Sequence, residues 1–127
     1  MSIPADLKYT KDHEWIKLDG DIATVGITDF AQGELGDIVY VEIDTLDSKL
    51  DAEEVFGSVE AVKTVSDLFM PVTGEIIEIN ELLEDSPEIV NEDPYGKGWM
   101  VKVRCSDLDQ SKNLLDHELY DALLKKG

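Results

Sequence analysis

Apolar and polar residues alternate along much of this chain, which is the spacing of strands that bury one face. Two such runs, 13–18 (HEWIKL) and 22–27 (IATVGI), flank Asp19-Gly20-Asp21, and a DG pair between strand-like runs predicts a β-hairpin. Further strands are predicted at 38–43, 55–62, 65–70, 75–80 and 99–104. The pattern therefore predicts a mostly β fold whose core contains seven strand residues: Val25, Ile27, Val39, Val41, Val59, Ile76 and Val101.

Three stretches interrupt the strands. A short helical turn is predicted near 28–32, because Thr28 can cap it and Asp29 lies near the positive end of its dipole. Residues 44–54 are acidic and are interpreted as a surface connection. Residues 81–98 are polar and contain two prolines and two glycines, so a long loop is predicted there.

The tail changes to helical spacing, with apolar side chains at Leu114, Leu115, Leu119, Ala122 and Leu123. Lys125 and Lys126 precede Gly127, and cations are favoured in the last turn of a helix. We therefore predict a C-terminal helix from about 112 to 126, held against the strands by Leu119 and Leu123.

A weak internal echo is also present. The segment 36–39 (GDIV) resembles 74–77 (GEII), and 57–63 can be laid over 98–104. Two similar β units suggest a pseudo-twofold β sandwich or barrel.

Composition narrows the class of protein. The 127 residues, 43% of them hydrophobic, suit one domain over 1–127. A net charge of −18 repels phosphate and anionic lipid, so neither nucleic acid nor a membrane is expected as a partner. No targeting segment is recognised, and the lone Cys105 fits a reducing compartment. We expect a cytoplasmic monomer, or a protein of the mitochondrial matrix if this is a mature organellar form.

Motifs of enzymes and metal sites are missing from the sequence. GxSxG, Walker A, GxGxxG, HExxH and CxxC are all absent. His13 and His117 lie far apart, and nothing supports a nucleophile pair of either with Cys105. His13 is interpreted as a strand-end residue and His117 as a solvated helix residue. The acidic clusters at 44–51 and 84–88 lack EF-hand spacing, so no metal site is predicted.

One segment, 55–77 (VFGSVEAVKTVSDLFMPVTGEII), offers a candidate site. Val62 and Val65 bracket Lys63-Thr64, so a two-residue loop would place Lys63 at the tip of a hairpin. A rigid β base would then present one amine to another protein. Lys-Thr is not a favoured pair for such a turn, and most exposed lysines are ordinary surface residues. The residues alone leave both interpretations open.

Motifs along nearly the whole chain resemble those of the lipoyl-carrying H proteins of the glycine cleavage system. Biotinyl domains share the fold, but their acceptor lysine usually lies between methionines, whereas Val62 and Thr64 flank Lys63 here. The matching motifs occur in family order at 9–10 (YT), 13–15 (HEW), 23–32 (ATVGITDFAQ), 35–39 (LGDIV), 57–63 (GSVEAVK), 66–67 (SD), 71–75 (PVTGE), 80 (N), 91 (N), 94–96 (PYG) and 98–100 (GWM).

This resemblance implies a flattened β barrel-sandwich hybrid of the lipoyl/biotinyl type, with lipoate in amide linkage on Lys63. It implies a non-catalytic carrier that shuttles the aminomethyl group of glycine and two electrons between enzymes. Three of these are a pyridoxal-phosphate glycine decarboxylase, a tetrahydrofolate-dependent aminomethyltransferase and a dihydrolipoamide dehydrogenase. A lipoate ligase or octanoyltransferase would attach the cofactor. An H-like protein that mainly relays octanoyl or lipoyl groups to other enzymes is the alternative, and a stand-alone enzyme with a novel site is a third class.

Two acidic residues are implied to form the docking cleft for the loaded arm, Glu14 and Asp67. Glu14 has the parity of Ile16 and Leu18, so it would share their face if alternation holds to the end of the strand. Two solvated carboxylates in a chain with 29 acidic residues are the alternative. Some family members have histidine where this chain has Glu34, so a contribution of that position to holding the arm is in doubt.

Overall fold

Antiparallel strands form most of the protein. The computed structural model describes residues 3–126, so Met1, Ser2 and Gly127, the predicted stop of the tail helix, lie outside the described residues. The strands are β1 (Lys8–Tyr9), β2 (Glu14–Asp19), β3 (Ile22–Ile27), β4 (Ile38–Glu42), β5 (Lys49–Leu50), β6 (Val55–Ala61), β7 (Val65–Phe69), β8 (Gly74–Ile79) and β9 (Val101–Cys105). The helices are α1 (Asp29–Leu35), α2 (Leu82–Asp85), α3 (Ile89–Glu92) and α4 (His117–Lys126), with a 3₁₀ segment at Leu108–Asn113.

Two sheets face each other and are not closed into a barrel. One has the order β1-β2-β3-β9-β8-β5 and the other the order β4-β6-β7. Buried side chains of both sheets form one hydrophobic cluster, which includes Ile16 and Val103 from the first and Val59 and Leu68 from the second. The mostly β, sandwich-like fold class predicted from the sequence is confirmed.

The predicted hairpin at Asp19-Gly20-Asp21 is present. Strands β2 and β3 pair from Glu14↔Ile27 to Asp19↔Ile22. Gly20 has φ +63°, a conformation that glycine adopts without steric cost and that tight hairpin turns require. The adjacent prediction is confirmed as well, because Thr28 caps α1 by accepting a hydrogen bond from the Ala31 N–H.

The internal echo corresponds to paired strands. β4 pairs with β6 in one sheet, and β8 pairs with β9 in the other. The first pair shifts register between Ile38 and Tyr40 and the second between Ile76 and Glu78, which are equivalent positions of the echo. Two similar β units therefore contribute one strand pair to each sheet.

Six of the seven predicted core residues are buried, and the prediction that Val39 belongs to the core is wrong. Its side chain is 46% exposed. The register shift between Ile38 and Tyr40 adds a residue to β4 at this point, and such a bulge interrupts the alternation of inward and outward side chains.

The predicted connections contain more structure than expected. The long loop at 81–98 holds the four-residue helices α2 and α3, and each anchors one side chain, Leu83 and Val90, in the core. The surface connection at 44–54 contains β5, which pairs with β8. These elements are too short for local spacing to predict, and contacts with the sheets stabilise them.

The tail helix begins at His117, five residues later than predicted. Leu115 forms two backbone hydrogen bonds with Tyr9, its N–H donating at 2.8 Å and its carbonyl accepting at 2.7 Å, so the chain is extended there. Leu119, expected to hold the helix, is 57% exposed, whereas Tyr120 is fully buried and Leu123 is half-buried beside it. Pairing with β1 thus displaces both the start and the buried face of the helix.

Candidate functional site

The hairpin of β6 and β7 presents Lys63 at its tip. The Ala61 N–H donates to the Thr64 carbonyl at 2.7 Å, so the two loop residues are Val62 and Lys63, one position earlier than predicted. The Lys63 side chain is exposed, and it takes part in no ion pair among residues 3–126. Its amine is therefore accessible to a modifying enzyme.

The loop at the tip is braced by the segment that follows α1. The Val62 N–H donates to the Asp37 carbonyl at 3.1 Å. Gly36 has φ +81°, and a Cβ placed on it would lie 3.5 Å from Lys63 Cε, so the lysine stem passes directly over this glycine. The amine is thus carried on a fixed base while its end faces water.

A cavity of about 280 Å³ lies between this hairpin and α1. Glu14 and Asp67 both line it, and so does Glu34, whose contribution the sequence left in doubt. The remaining lining residues are Asp12, His13, Ile27, Phe30, Ala31, Leu35, Val59, Ser66 and Leu68. The structure therefore brings the two predicted cleft residues to one cavity of mixed polar and apolar lining, with Leu35 directly preceding the glycine under Lys63.

Glu14 is the buried acid of this cavity, with 2% of its surface exposed. The Phe69 N–H donates to its Oε2 at 2.7 Å, and the Thr10 hydroxyl donates to its Oε1 at 3.4 Å. Burial raises the pKa of the Glu14 carboxyl to about 8, against the opposing effect of the Phe69 hydrogen bond. Without a cationic partner, this carboxyl is therefore mostly protonated at neutral pH.

Asp67 differs from Glu14 because it is exposed. It lies in β7 opposite Ser58 of β6, and its side chain borders the cavity from the solvent side. One carboxyl group thus lies inside the cavity and another at its edge, an arrangement that can receive a cationic group entering from solvent.

Comparison with known proteins identifies the family. The model of the family described as glycine cleavage H-protein matches residues 7–127. A glycine cleavage system H protein of Bacteroides thetaiotaomicron is 56% identical over 124 residues, which cover 98% of each chain. One of Staphylococcus carnosus is 55% identical over the same length and coverage. The chain belongs to the glycine cleavage H-protein family.

A solved H-protein structure agrees with this assignment. The crystal structure of a glycine cleavage system H protein from Mycobacterium marinum superposes with a TM-score of 0.86 at 40% identity, covering 94% of this chain and 97% of that one. H proteins are lipoyl carriers of the glycine cleavage system, and that is the function of the family to which this chain belongs. The alternative of a dedicated lipoyl relay protein is not favoured by these matches.

Other chemistry-bearing residues of this H-family chain are placed as follows. Cys105 is buried, and burial raises the pKa of its thiol, which disfavours the reactive thiolate form. His117 lies half-buried in the first turn of α4, and its Nε2 is 4.0 Å from Glu118 Oε1. Among residues 3–126 no group of three or more His, Cys, Asp or Glu could hold a metal ion. No helix in that range is long and apolar enough to span a membrane.

Sequence reasoning assigned no role at the site to most of the residues that line the cavity, and His13 is the titratable one whose contacts are most informative. It was interpreted as a strand-end residue, but it lines the cavity with its ring 4.7 Å from that of Phe30. It also has φ +65°, which is uncommon outside glycine. The only signal was its place in the HEW motif next to Glu14, because the contacts of its ring, with Phe30 and Tyr120, come from distant parts of the chain.

Proposed function

We propose that Lys63 carries lipoate in amide linkage and that the cavity lined by Glu14 and Asp67 receives the loaded arm. The observation that carries this proposal is the exposed Lys63 amine, which has no ion partner within 3–126, at a braced tip next to a cavity lined by the same hairpin. An accessible amine fits an acylation site, and acylation removes its charge. The lipoyl group supplies a disulfide that accepts a carbon group and two electrons together.

The two carboxyl groups of the cavity support docking of a cationic cargo. Asp67, at the edge, meets an incoming amine first. Glu14, held by the Phe69 N–H and the Thr10 hydroxyl, then gains a partner that favours its ionised form, so docking releases a proton. The cation and the buried carboxylate neutralise each other inside the cavity.

Apolar walls support a protective role for the cavity. Ile27, Phe30 and Leu35 lie on one side, and Val59 and Leu68 lie on the hairpin. The glycine-derived cargo is prone to hydrolysis, and a water-poor cavity slows that reaction. Docking would therefore preserve the carbon unit between visits to two enzymes.

The carrier role follows from this division between tip and cavity. We propose that the chain is not itself a catalyst and that a pyridoxal-phosphate glycine decarboxylase, a tetrahydrofolate-dependent aminomethyltransferase and a dihydrolipoamide dehydrogenase act on its arm. A tethered group has a high effective concentration at each of these partners. The net charge of −18 steers the protein toward positively charged faces. We place the protein in the cytoplasm, since a buried free cysteine suits a reducing compartment. We also propose that it acts as a monomer.

Intact-mass analysis tests the attachment site. Protein expressed with lipoate and a lipoate ligase is expected to gain the mass of one lipoyl group, and Lys63→Arg is expected to gain none. Lys17→Arg, at an exposed lysine of β2, is the matched control and should be modified like the wild type. Lipoylation that persists in Lys63→Arg would refute the assignment.

Release of the cargo tests the cavity. Protein loaded by the decarboxylase should lose ammonia and formaldehyde faster in Glu14→Gln or Asp67→Asn than in the wild type when the folate enzyme is absent. Glu60→Gln is the control, because Glu60 is an exposed acid of the same hairpin that does not line the cavity. Equal release rates in all four proteins would contradict the protective role.

A further inference from the structure

A buried hydroxyl lies behind the cavity without lining it. Tyr120 of α4 is fully buried, and its Oη is 2.7 Å from Thr28 Oγ1 and 2.9 Å from His13 Nδ1. His13 and Tyr120 are separated by 107 positions in the chain. Hydrogen bonds thereby link the C-terminal helix to His13, which lines the cavity, and to Thr28, which precedes α1.

These two residues position most of the wall. Thr28 caps α1, which carries four lining residues, through the hydrogen bond that its Oγ1 accepts from the Ala31 N–H at 3.2 Å. The Thr28 N–H donates to the His13 carbonyl at 3.0 Å, so the cap is also bonded to the residue before Glu14. Positive φ at His13 is a strained conformation that such surrounding contacts must maintain.

Only one direction of these hydrogen bonds gives both buried hydroxyl hydrogens an acceptor. Thr28 Oγ1 already accepts from the backbone, and in its buried position its own hydrogen is directed to Tyr120 Oη. The Tyr120 hydroxyl then donates to His13 Nδ1, which leaves the imidazole neutral with its hydrogen on Nε2. In the opposite direction the buried Thr28 hydroxyl hydrogen would have no acceptor among the hydrogen bonds of residues 3–126.

The charge of the His13 imidazole affects the binding of a cationic cargo in the cavity that it lines. Burial lowers the pKa of His13 against the opposing charges of Asp12 and Glu34. The aromatic rings of Phe30 and Tyr120 are its ring neighbours. A donor that occupies Nδ1 disfavours protonation there. An imidazolium in the wall would repel the cation that Glu14 and Asp67 attract.

We propose that Tyr120 is a positioning residue of the cavity, which holds His13 as a single neutral tautomer and fixes it to the cap of α1. The inference rests on the proposed docking of the arm in this cavity. It makes the C-terminal helix part of the site through Tyr120, although the helix does not contact the cavity.

Nitrogen-resolved NMR of the histidines in the unmodified protein tests the positioning without any arm. In the wild type, His13 is expected as the Nε2–H tautomer, whereas Tyr120→Phe should give a tautomer mixture and a raised His13 pKa. Tyr9→Phe is the matched control, because Tyr9 stacks on Tyr120 at 4.7 Å but donates its hydroxyl to the Pro4 carbonyl. A tautomer mixture in the wild type, or a Tyr120→Phe spectrum like that of Tyr9→Phe, would overturn the inference.

Cargo release then tests the consequence for docking. Tyr120→Phe removes both hydrogen bonds of the hydroxyl, and loss of the one that positions His13 predicts release about fivefold faster from the loaded variant, with a wild-type rate in Tyr9→Phe. If Glu14→Gln also releases at the wild-type rate, the proposed docking function fails. If Glu14→Gln is faster while Tyr120→Phe equals the wild type, docking stands and the role of Tyr120 is refuted.

Discussion

Lys63 and Glu14 belong to the same site but have opposite surroundings. Lys63 is exposed at the tip of the β6–β7 hairpin and forms no ion pair among residues 3–126, while Glu14 is almost fully buried and bonded to Phe69 at the other end of β7. The tip can change its side chain at little cost to folding, because water solvates it. The cavity holds a carboxyl group that the fold keeps at an energetic cost. The difference indicates that attachment and docking are separable by mutation.

The largest expected loss of folding stability is at Val59, in the middle of β6 between the tip and the far end of the hairpin. Val59→Asp places an unpaired charge at a fully buried position and is expected to cost about 4 kcal/mol of unfolding free energy. Lipoylation should be lost with the hairpin. Val65→Asp on the same hairpin, where the side chain is 63% exposed but lies opposite Glu60, should cost much less, about 1 kcal/mol. Urea unfolding of both variants measures the contrast, and similar losses would show that the tip is not independent of the core.

The free energy of unfolding should decrease as pH rises, because Glu14 is buried as an acid. Folding raises the pKa of this carboxyl from 4.5 to about 8. Between these two pH values the unfolded chain has already lost the proton that the folded protein retains, so the free energy of unfolding decreases as pH rises. The slope approaches about 1.4 kcal/mol per pH unit midway between the two pKa values and is shallower close to either, so the loss from pH 5 to pH 8 is about 3.5 kcal/mol. Glu14→Gln should remove this loss, and Asp67→Asn should retain it. Urea midpoints at three pH values measure it, and parallel curves for the wild type and Glu14→Gln would contradict the buried-acid account.

A smaller effect is expected at the glycine under the lysine stem. Gly36→Ala must adopt φ +81° and ψ −156°, a combination open almost only to glycine, which should cost about 2 kcal/mol. Gly33→Ala in α1 is the control, since its added Cβ meets nothing within 4 Å and alanine favours helices, so stability should rise by about 0.5–1 kcal/mol. Thermal unfolding of the two variants distinguishes strain at Gly36 from a general effect of added methyl groups.

The smallest effect on folding is expected at the tip itself. Lys63→Ala should leave the unfolding free energy within about 0.5 kcal/mol of the wild type, because the side chain is exposed and has no ion partner in the described part of the chain. Calorimetry on unmodified protein measures this. A large loss would mean that the lysine supports the hairpin rather than serving as a handle on it.

Much of the site was predictable because it depends on near neighbours. The two-residue period placed Glu14 on the face of Ile16, and the structure buries both. The acids beside the cavity and the exposed lysine were named from motifs, and the structure brings Glu14 and Asp67 to one cavity. Their proposed roles remain predictions, since geometry does not report chemistry on an arm.

The misses share one physical cause, which is dependence on distant partners. Val39 is turned outward by a register shift against β6, and α2 and α3 are stabilised by single side chains that enter the core. The tail helix begins late because Leu115 pairs with Tyr9. No local spacing contains this information.

The sequence by itself determined the seven longer strands, the turn at Gly20, the cap at Thr28 and the inward parity of Glu14, because each follows from sterics or hydrogen bonds within a few residues. Only the tertiary structure decided that α1 and the β6–β7 hairpin enclose a cavity, and that Tyr120 meets His13 behind it. These contacts depend on how the two sheets and the tail pack together, where the balance of burial and register across the whole chain sets which residues meet.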